Sequence, residues 1–262
     1  MAESQGHEET ASLTVGLIII GDEVLTGKVS DSNTPFCIRF FRAKGIELSE
    51  IAVIPDTLET ISRTVKRFSE AYDWVVTSGG VGPTHDDLTM DGVSKAFGVQ
   101  VIESEDLIQL LTLRGKGLNP SIRRLARVPE GFSFYWGEGR VWPVVGKENV
   151  AILPGVPKFF ESCLRAVFHE IDGNPVTQGN LYLSWSEPDL VTPLHKVNDA
   201  YPQVSIGSYP KFSQEDHKVM VTFEGRDGDQ VAAAMDALLS LLDPTGLVRT
   251  DPPKRTDAPP SS

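Results

Sequence analysis

Acidic residues follow three apolar segments of the sequence, each short and β-branched enough to form a buried strand. Asp22 and Glu23 follow the first segment, Asp56 follows the second, and Asp86 and Asp87 stand in the loop after the third. Ligands of an open parallel sheet bind beyond the carboxyl ends of its strands, so we expect these carboxylates at one rim. Carboxylate oxygens hold hard divalent cations that also bind phosphate oxygens. The pattern therefore predicts metal-assisted chemistry on a phosphorylated substrate, with some of these residues holding the ion.

Each of these carboxylates also has a structural interpretation. The pair after the first segment could lie in a solvated turn, and the pair in the third loop could cap the helix predicted from Thr89. Asp56 is followed three residues later by Glu59, which is a capping-box pattern. Asp56 could therefore cap its helix, or cap it and bind a ligand at once.

The loop after the third segment reads SGGVGPT over residues 78–84. Glycines let backbone N–H groups approach a phosphate without a Cβ clash, and hydroxyl groups add donors. The loop is not a Walker A motif, because no Gly-Lys-Ser/Thr follows. The alternative is a strand-to-helix turn that needs glycine only for its backbone angles. The residues expected to bind substrate here are Ser78, Gly79, Gly80, Gly82 and Thr84.

Further candidates lie beside these loops. His85 could act as a general acid or base, because a histidine ring titrates near neutrality, or it could be a bystander. Lys28 could neutralise phosphate charge or be an exposed loop lysine, and Asn33 could orient the substrate. Gly21, at the end of the first segment, and Gly155, in a fourth strand-to-helix turn, are expected at the same rim.

The elements that would position these residues alternate between strand and helix patterns over residues 13–97. This alternation predicts a parallel α/β sheet with right-handed crossovers. Residues 141–145 and 150–153 are predicted as two strands joined by a turn, followed by a helix that Pro157 opens. Residues 115–139, rich in Gly, Pro and Arg, are predicted to form irregular surface structure.

Changes in pattern predict the domain organisation. Residues 1–12 are expected to be a flexible N-terminus, and residues 13–173 a catalytic domain. A small α+β domain is predicted over residues 178–250. The Pro-rich, polar residues 251–262 predict a disordered tail.

Composition restricts the partners and the compartment. The chain of 262 residues carries 24 Lys and Arg against 36 Asp and Glu, a net charge of −12. This balance disfavours nucleic acids and anionic membranes, whose binders need clustered basic residues. No apolar run approaches the ~20 residues that span a bilayer. Cys37 and Cys163 fall in apolar helical patterns and are predicted to be buried thiols, so we expect a cytoplasmic protein.

Five motifs occur in order: GDE at residues 21–23, DSN at 31–33, VIPD at 53–56, GGVGPTHDDLT at 79–89 and LPGVP at 153–157. Together they resemble the molybdopterin-binding (MoaB/Mog-like) domain superfamily. Within it, the chain is most similar to the N-terminal domain of CinA-like proteins and the corresponding domain of eukaryotic FAD synthases. It also resembles free-standing fungal FAD pyrophosphatases in length and layout.

The resemblance implies a three-layer α/β/α fold with a mostly parallel sheet. It implies a pyrophosphatase that splits FAD into FMN and AMP, or acts on ADP-ribose or related dinucleotides. A divalent cobalt, magnesium or manganese ion, potassium as activator, and a homo-oligomer (dimer or trimer) are implied as well. The functional aspartates of the molybdenum-cofactor members fall on Asp56 and Asp87. With Asp86 and His85 these form the expected catalytic group, and the expected metal ligands are Asp22, Glu23 and Asp87.

Two other functions compete with hydrolysis. The chain ends near residue 250 without the further domain of either relative, so hydrolysis by this domain alone is the expected activity. The alternative is a protein of molybdenum-cofactor assembly that binds or adenylylates molybdopterin. The loop GGVGPTHDD favours hydrolysis, because cofactor-assembly members typically have GGTG. A catalytically silent regulatory or scaffold domain is the third possibility.

Overall fold

A computed structural model describes residues 13–115, 119–137, 142–211 and 216–256. The predicted flexible N-terminus, residues 1–12, lies outside these residues. The contacts divide the described chain into two compact units, one ending at Gly173 and one beginning at Asn174.

Within its described residues, the first unit contains eight strands and seven helices. Its strands are β1 Thr14–Ile20, β2 Glu47–Ile54, β3 Trp74–Ser78, β4 Val101–Glu103, β5 Arg127–Pro129, β6 Ser133–Tyr135, β7 Val144–Lys147 and β8 Val150–Leu153. Its helices are α1 Asp22–Leu25, α2 Asn33–Lys44, α3 Leu58–Ala71, α4 Thr89–Phe97, α5 Glu105–Leu113, α6 Pro120–Arg124 and α7 Pro157–Val167.

Six of these strands form one sheet in the order β2-β1-β3-β8-β7-β6. The first four are parallel, and β7 and β6 are antiparallel to their neighbours. One hydrophobic cluster joins the sheet to Phe40 of α2 and Phe160 of α7, and a second joins it to Phe68 of α3 and Leu107 of α5. Strands covered on both faces must be apolar throughout, as β1 is. The predicted three-layer α/β/α fold with a mostly parallel sheet is confirmed.

Helix ends follow local sequence signals at most positions. Helices α2 and α4 end at Gly45 and Gly98, both in the left-handed conformation, and Pro157 opens α7. The capping box predicted for α3 is wrong, because Thr57 is its N-cap residue and no side chain caps it. The Asp56 carboxylate instead accepts a hydrogen bond from the backbone N–H group of Asp22, the first residue of α1.

Residues 115–139 contain more regular structure than predicted. They include α6, β5 and β6, where β5 pairs with β4 and β6 extends the main sheet beside β7. Strands of three residues are too short to show a hydrophobic period, and they exist because distant strands supply their hydrogen-bond partners. Residues 116–118 and 138–141 lie outside the described part of the chain.

The second unit is a small α+β structure, as predicted. Its strands are β9 Thr177–Leu183, β10 Ser205–Pro210, β11 Val219–Gly225 and β12 Leu247–Arg255, and its helices are α8 Glu187–Ala200 and α9 Gly228–Ser240. The antiparallel sheet has the order β10-β11-β9-β12, and its core contains buried residues such as Leu181, Phe223 and Leu238.

The predicted disordered tail needs a correction. Residues 251–255 continue β12, which pairs with β9 as far as Arg255 opposite Thr177. The two prolines that suggested disorder fall where the register shifts, between Asp251 and Lys254. A proline without an N–H group is tolerated at such an irregularity on an edge strand. Residues 257–262 lie outside the described chain.

Both cysteines are buried and neither forms a disulfide, which confirms their predicted place in the core. Burial raises the pKa of the Cys37 thiol well above its usual range, and the nearby Asp31 charge acts in the same direction. None of the helices in the described ranges combines the length and apolar character that crossing a bilayer requires.

Candidate active site

The ends of β1 and β2 are joined at one rim of the first unit. The Gly21 N–H group donates to the Ile54 carbonyl at 3.1 Å, and the Asp22 N–H group donates to Asp56 Oδ2 at 2.8 Å. Asp22 and Glu23 open the short helix α1 and are exposed. The structure therefore brings together the acidic residues that follow the first two strands.

Asp56 is the carboxylate that this arrangement perturbs most clearly. Partial burial raises the pKa of its carboxyl group, and the negative charges of Glu23, Asp22 and Asp86 raise it further. The hydrogen bond from the Asp22 backbone acts in the opposite direction. Asp56 thus lies in a concentration of negative charge that a bound cation would neutralise.

The loop after β3 forms a closed turn, which we call the glycine cradle (residues 79–84). The Thr89 hydroxyl donates to the Gly79 carbonyl at 2.7 Å, and the Thr89 N–H group donates to the Gly80 carbonyl at 3.0 Å. Gly79 and Gly80 have φ of 110° and 63°, which other residues rarely adopt. A Cβ atom on Gly80 would lie 3.5 Å from Asp56 Oδ1, so the Asp56 carboxylate lies against the cradle.

The donors of the cradle can be assigned from its hydrogen bonds. The Gly79 N–H group donates to the Leu153 carbonyl at 3.1 Å, so it serves the sheet. Within the described chain, the N–H groups of residues 80–82 donate to no protein acceptor. These groups can bind an anion, whereas Gly79 serves the backbone turn.

Asp87 shapes the cradle from its far end. Its Oδ2 atom accepts hydrogen bonds from the Thr84 N–H group, at 2.8 Å, and from the Thr84 hydroxyl. The same oxygen lies 2.6 Å from the Cβ position of Gly82, so a side chain there would displace it. Asp87 does not cap α4, whose N-cap residue is Leu88.

Asn33 connects two loops of the rim. Its Nδ2 group donates to Ser78 Oγ at 2.9 Å and to the Gly155 carbonyl at 2.8 Å. The Cβ position of Gly155 is 3.3 Å from the Gly79 Cα atom, so the turns after β3 and β8 approach closely. The Asp31 carboxylate accepts the Asn33 N–H group at 3.0 Å and fixes the start of α2. Asn33 and Ser78 are buried and act as structural connections within the site.

Two other predicted residues, Lys28 and His85, have exposed side chains. Lys28 is exposed, and its backbone N–H group donates to the Glu23 carbonyl at 2.9 Å. The His85 side chain is 98% exposed, and its Nδ1 atom lies 3.9 Å from Asp86 Oδ1. Both residues flank the rim without being fixed in it, so their predicted chemical roles stay predictions.

The carboxylates do not form a ready-made metal cage. Across the described ranges, no three His, Cys, Asp or Glu side chains are grouped closely enough to hold an ion, and this includes the predicted set Asp22, Glu23 and Asp87. Oxygen donors nonetheless suit a hard cation, and Mg²⁺ commonly uses one or two carboxylates with substrate phosphates and water. Asp56, with Asp22 beside it, has the donor chemistry for that mode.

Sequence reasoning missed one residue at this rim. Arg124, on α6, donates from Nη2 to the Asp87 carbonyl at 3.4 Å. No local sequence signal marks Arg124, because it lies 37 positions from Asp87 in a segment predicted to be irregular.

Comparison with known proteins agrees with this architecture. The family profile described as a probable molybdopterin binding domain matches residues 16–173. The chain belongs to this family. A second profile, described as the FAD synthase middle domain, matches residues 175–251. The resemblance inferred from the five motifs is confirmed.

Individual relatives of this molybdopterin-binding-domain protein cover it to different extents. A protein of Archaeoglobus fulgidus is 30% identical over 226 residues, which cover 86% of this chain and 96% of that protein. A probable FAD synthase of Caenorhabditis briggsae is 34% identical, and the match covers 87% of this chain but 49% of the relative. The chain thus spans about half the length of that relative. The crystal structure of the CinA protein of unknown function from Thermoplasma acidophilum covers 61% of this chain and 99% of its own, at 30% identity with a TM-score of 0.55.

Proposed function

We propose that this chain is a metal-dependent pyrophosphatase that hydrolyses FAD to FMN and AMP. The observation that carries the proposal is the position of the Asp56 carboxylate against the glycine cradle, 3.5 Å from the Cβ position of Gly80. Free backbone N–H groups bind phosphoryl oxygens, and an adjacent carboxylate can hold a cation on the same phosphate. The two features together suit a substrate with a phosphoanhydride.

The relatives support a flavin nucleotide as that substrate. Residues 175–251 match the FAD synthase middle domain, and worm relatives are named as probable FAD synthases. These matches support FAD-related nucleotide processing, and the hydrolytic reaction is our proposal. ADP-ribose and related dinucleotides carry the same pyrophosphate and are the secondary candidates.

In the proposed reaction, water attacks one phosphorus atom and the bridging P–O bond breaks. The water oxygen stays on one product, and its protons pass to solvent or to the departing phosphate. The N–H groups of residues 80–82 stabilise the charge that develops on phosphoryl oxygens. Asp87 keeps those groups in place through its bonds to Thr84, and His85 and Asp86 are the exposed candidates for moving a proton.

A divalent ion would be held by Asp56 and Asp22, with Glu23 near enough to raise the pKa of Asp56 through its charge. When bound, it would neutralise phosphate charge and acidify a coordinated water. Without an ion, the acidic rim repels a polyphosphate, so we propose that turnover depends on one.

The experiment is incubation of the full chain with FAD and Co²⁺, Mn²⁺ or Mg²⁺, with and without K⁺, followed by chromatography of FMN and AMP. We expect equal amounts of both products, no reaction in EDTA, and a loss of at least about 100-fold in Asp56→Asn and Asp87→Ala, as for the removal of groups that stabilise charge in a transition state. Asp106→Asn, which changes an exposed carboxylate in the first turn of α5, is the matched control and should keep full turnover.

Two results would contradict the proposal. One is the absence of FMN with every metal while the circular dichroism spectrum shows a folded protein. The other is undiminished turnover in Asp87→Ala. ADP-ribose, assayed in parallel, decides between the two substrate classes.

The family assignment supports one alternative for the same cradle. A probable molybdopterin binding domain could bind the phosphate of a pterin and, with ATP, adenylylate it. In that case the protein would bind molybdopterin tightly and leave FAD intact. The assay above, repeated with molybdopterin and ATP, separates the two functions.

A further inference from the structure

A polyphosphate at this rim meets an excess of negative charge. The residues nearest the cradle include Asp56, Asp86 and Asp87, and the predicted cation Lys28 is exposed on the loop after α1. A bound divalent ion neutralises only part of the charge, because the carboxylates of the rim add to the charge of the phosphates. The site needs a further cationic group beside the cradle.

Arg124 lies at the Asp87 end of the cradle. Its Nη2 atom contacts the Asp87 carbonyl at 3.4 Å, and the Asp87 carboxylate holds Thr84 at the end of the cradle. Asp87 thus connects the guanidinium to the loop that would hold the phosphates. Ile122 and Leu125, on either side of Arg124, pack against the hydrophobic cluster that contains Leu107, which anchors this turn of the chain.

The pairing of neighbouring arginines distinguishes Arg124. Arg123 forms an ion pair with Glu103 at 2.7 Å, and Arg127 forms one with Asp91 at 2.7 Å. In the described part of the chain, no carboxylate lies within ion-pair distance of Arg124, and its charge acts on Asp86 only from farther away. Its hydrogen bond to the Asp87 carbonyl is long, at 3.4 Å, and the acceptor is neutral, so most of its five N–H donors are available.

We propose that Arg124 binds a phosphoryl group of the substrate at the Asp87 end of the cradle. The inference rests on the proposed function, because it takes a phosphoanhydride as the ligand. A guanidinium presents paired donors that match two oxygens of one phosphate, and it stays charged at every physiological pH. Arg124 would therefore fix the phosphate orientation that the backbone N–H groups of residues 80–82 alone leave open.

A purely structural role makes a different prediction. If Arg124 only supports the Asp87 carbonyl, Arg124→Gln preserves a donor and should behave like the natural protein. If Arg124 binds phosphate, the same substitution removes the charge and weakens every phosphate ligand. Arg124→Lys keeps the charge but loses the paired donors, so it should fall between the two.

The test measures binding of inorganic pyrophosphate with Mg²⁺ by calorimetry, and FAD turnover under the same conditions. We expect the pyrophosphate Kd to rise about tenfold or more in Arg124→Gln and less in Arg124→Lys, and KM for FAD to rise more than kcat falls. Arg123→Gln, which removes the neighbouring paired arginine, is the matched control and should keep the natural affinity. Circular dichroism verifies the fold of each variant, and Arg124→Lys decides the question if Arg124→Gln does not fold.

The outcomes separate this inference from the proposed function. Pyrophosphate affinity that depends on Arg124, with no FMN formed from FAD, supports the inference and overturns the function. FAD turnover with unchanged KM and pyrophosphate affinity in Arg124→Gln overturns the inference alone. The inference also fails if the natural protein binds no pyrophosphate, or if Arg123→Gln loses as much affinity as Arg124→Gln.

Discussion

Gly80 shows how one residue controls the candidate site. Its φ of 63° is nearly the same as the 66° of Gly98 at the end of α4, but the surroundings of the two differ. A Cβ atom on Gly98 would meet open space, whereas one on Gly80 would collide with the Thr89 hydroxyl that closes the cradle. Substituting each glycine by alanine therefore separates the cost of the left-handed backbone from the cost of the clash in the site.

We predict that Gly98→Ala lowers the free energy of unfolding by about 1 kcal/mol, the cost of a left-handed alanine. Gly80→Ala should lower it by about 2–4 kcal/mol, because the clash is added to that cost. Urea unfolding measures both values. Equal losses in the two variants would show that the contact between Gly80 and Thr89 has no energetic importance.

Residue-scale chemistry was only partly predictable from the sequence. The glycine cradle and the acidic residues could be found because their types and spacing are local signals. Asp56 was assigned a possible cap because a carboxylate before a helix usually serves that purpose, but here the Asp22 backbone is the partner. Arg124 could not be found, since its contact with Asp87 depends on tertiary structure.

At the scale of elements, one side-chain cluster joins the edge strand β2 to helix α3. Glu50 on β2 accepts two hydrogen bonds from the Arg67 guanidinium, at 2.8 and 2.7 Å, and one from the Tyr72 hydroxyl at 2.6 Å. The bonds from Arg67 and Tyr72 lower the pKa of Glu50 from 4.5 to about 2. The cluster therefore stabilises the packing of α3 in a way that depends on pH.

We predict that Glu50→Gln lowers the free energy of unfolding by about 1 kcal/mol at pH 7, the upper range for partly exposed pairs. The pKa of Glu50 is lowered by folding, so its contribution is complete above the ordinary glutamate value and declines as pH falls toward about 2. The difference between variant and natural protein should shrink below about pH 4.5. Urea unfolding at pH 7, 4 and 3 measures it.

Glu70→Gln, on the exposed side of α3, is the control for this prediction. It should match the natural protein at every pH. A Glu50→Gln difference that stays constant down to pH 3 would contradict the assigned origin of the stabilisation.

The last strand gives a second prediction at this scale. The Tyr182 hydroxyl of β9 donates to Asp251 Oδ2 at 2.8 Å, and β12 pairs with β9 as far as Arg255. Deleting residues 251–262 should therefore lower the midpoint of thermal unfolding by several degrees, since about 1 kcal/mol shifts it by ~2–4 °C in a chain of this size. Deleting residues 257–262 leaves the described strand intact and is the control. Equal midpoints for both deletions would contradict a structural role for the end of β12.

Some helices could be predicted from the local sequence, whereas some strands could not. Helices α2 and α4 belong to the predicted strand–helix alternation, and each ends at a glycine, which is a local sequence signal. Strands β5 and β12 were not predicted, because the first has three residues and the second contains adjacent prolines. Their partners, β4 and β9, lie at distances along the chain that local patterns cannot show.

At the scale of the whole molecule, two units contain separate hydrophobic cores. Phe160 is fully buried in the first unit, and Phe223 is fully buried in the second. The net charge of −12 is a property of the entire chain, but the chemistry proposed here depends on the few carboxylates near the cradle. Composition therefore restricts the expected partners without identifying a site.

We predict that Phe160→Ala and Phe223→Ala each destabilise their own unit by about 3–5 kcal/mol, the usual cost of removing a buried phenylalanine. Hydrogen exchange followed by mass spectrometry measures the effect strand by strand. Phe223→Ala should lose protection in β11 and keep it in β1, and Phe160→Ala should do the reverse. Loss of protection in both strands from either substitution would show that the units unfold together.

The prolines at the register shift of β12 affect whether copies of the protein can pair through this strand. β12 is an edge strand, and edge strands offer unpaired N–H groups to which a foreign strand can add. Pro252 and Pro253 have no N–H group to offer, and the register shift around them interrupts the regular edge. The feature that made this segment look disordered in the sequence thus protects it against edge-to-edge aggregation.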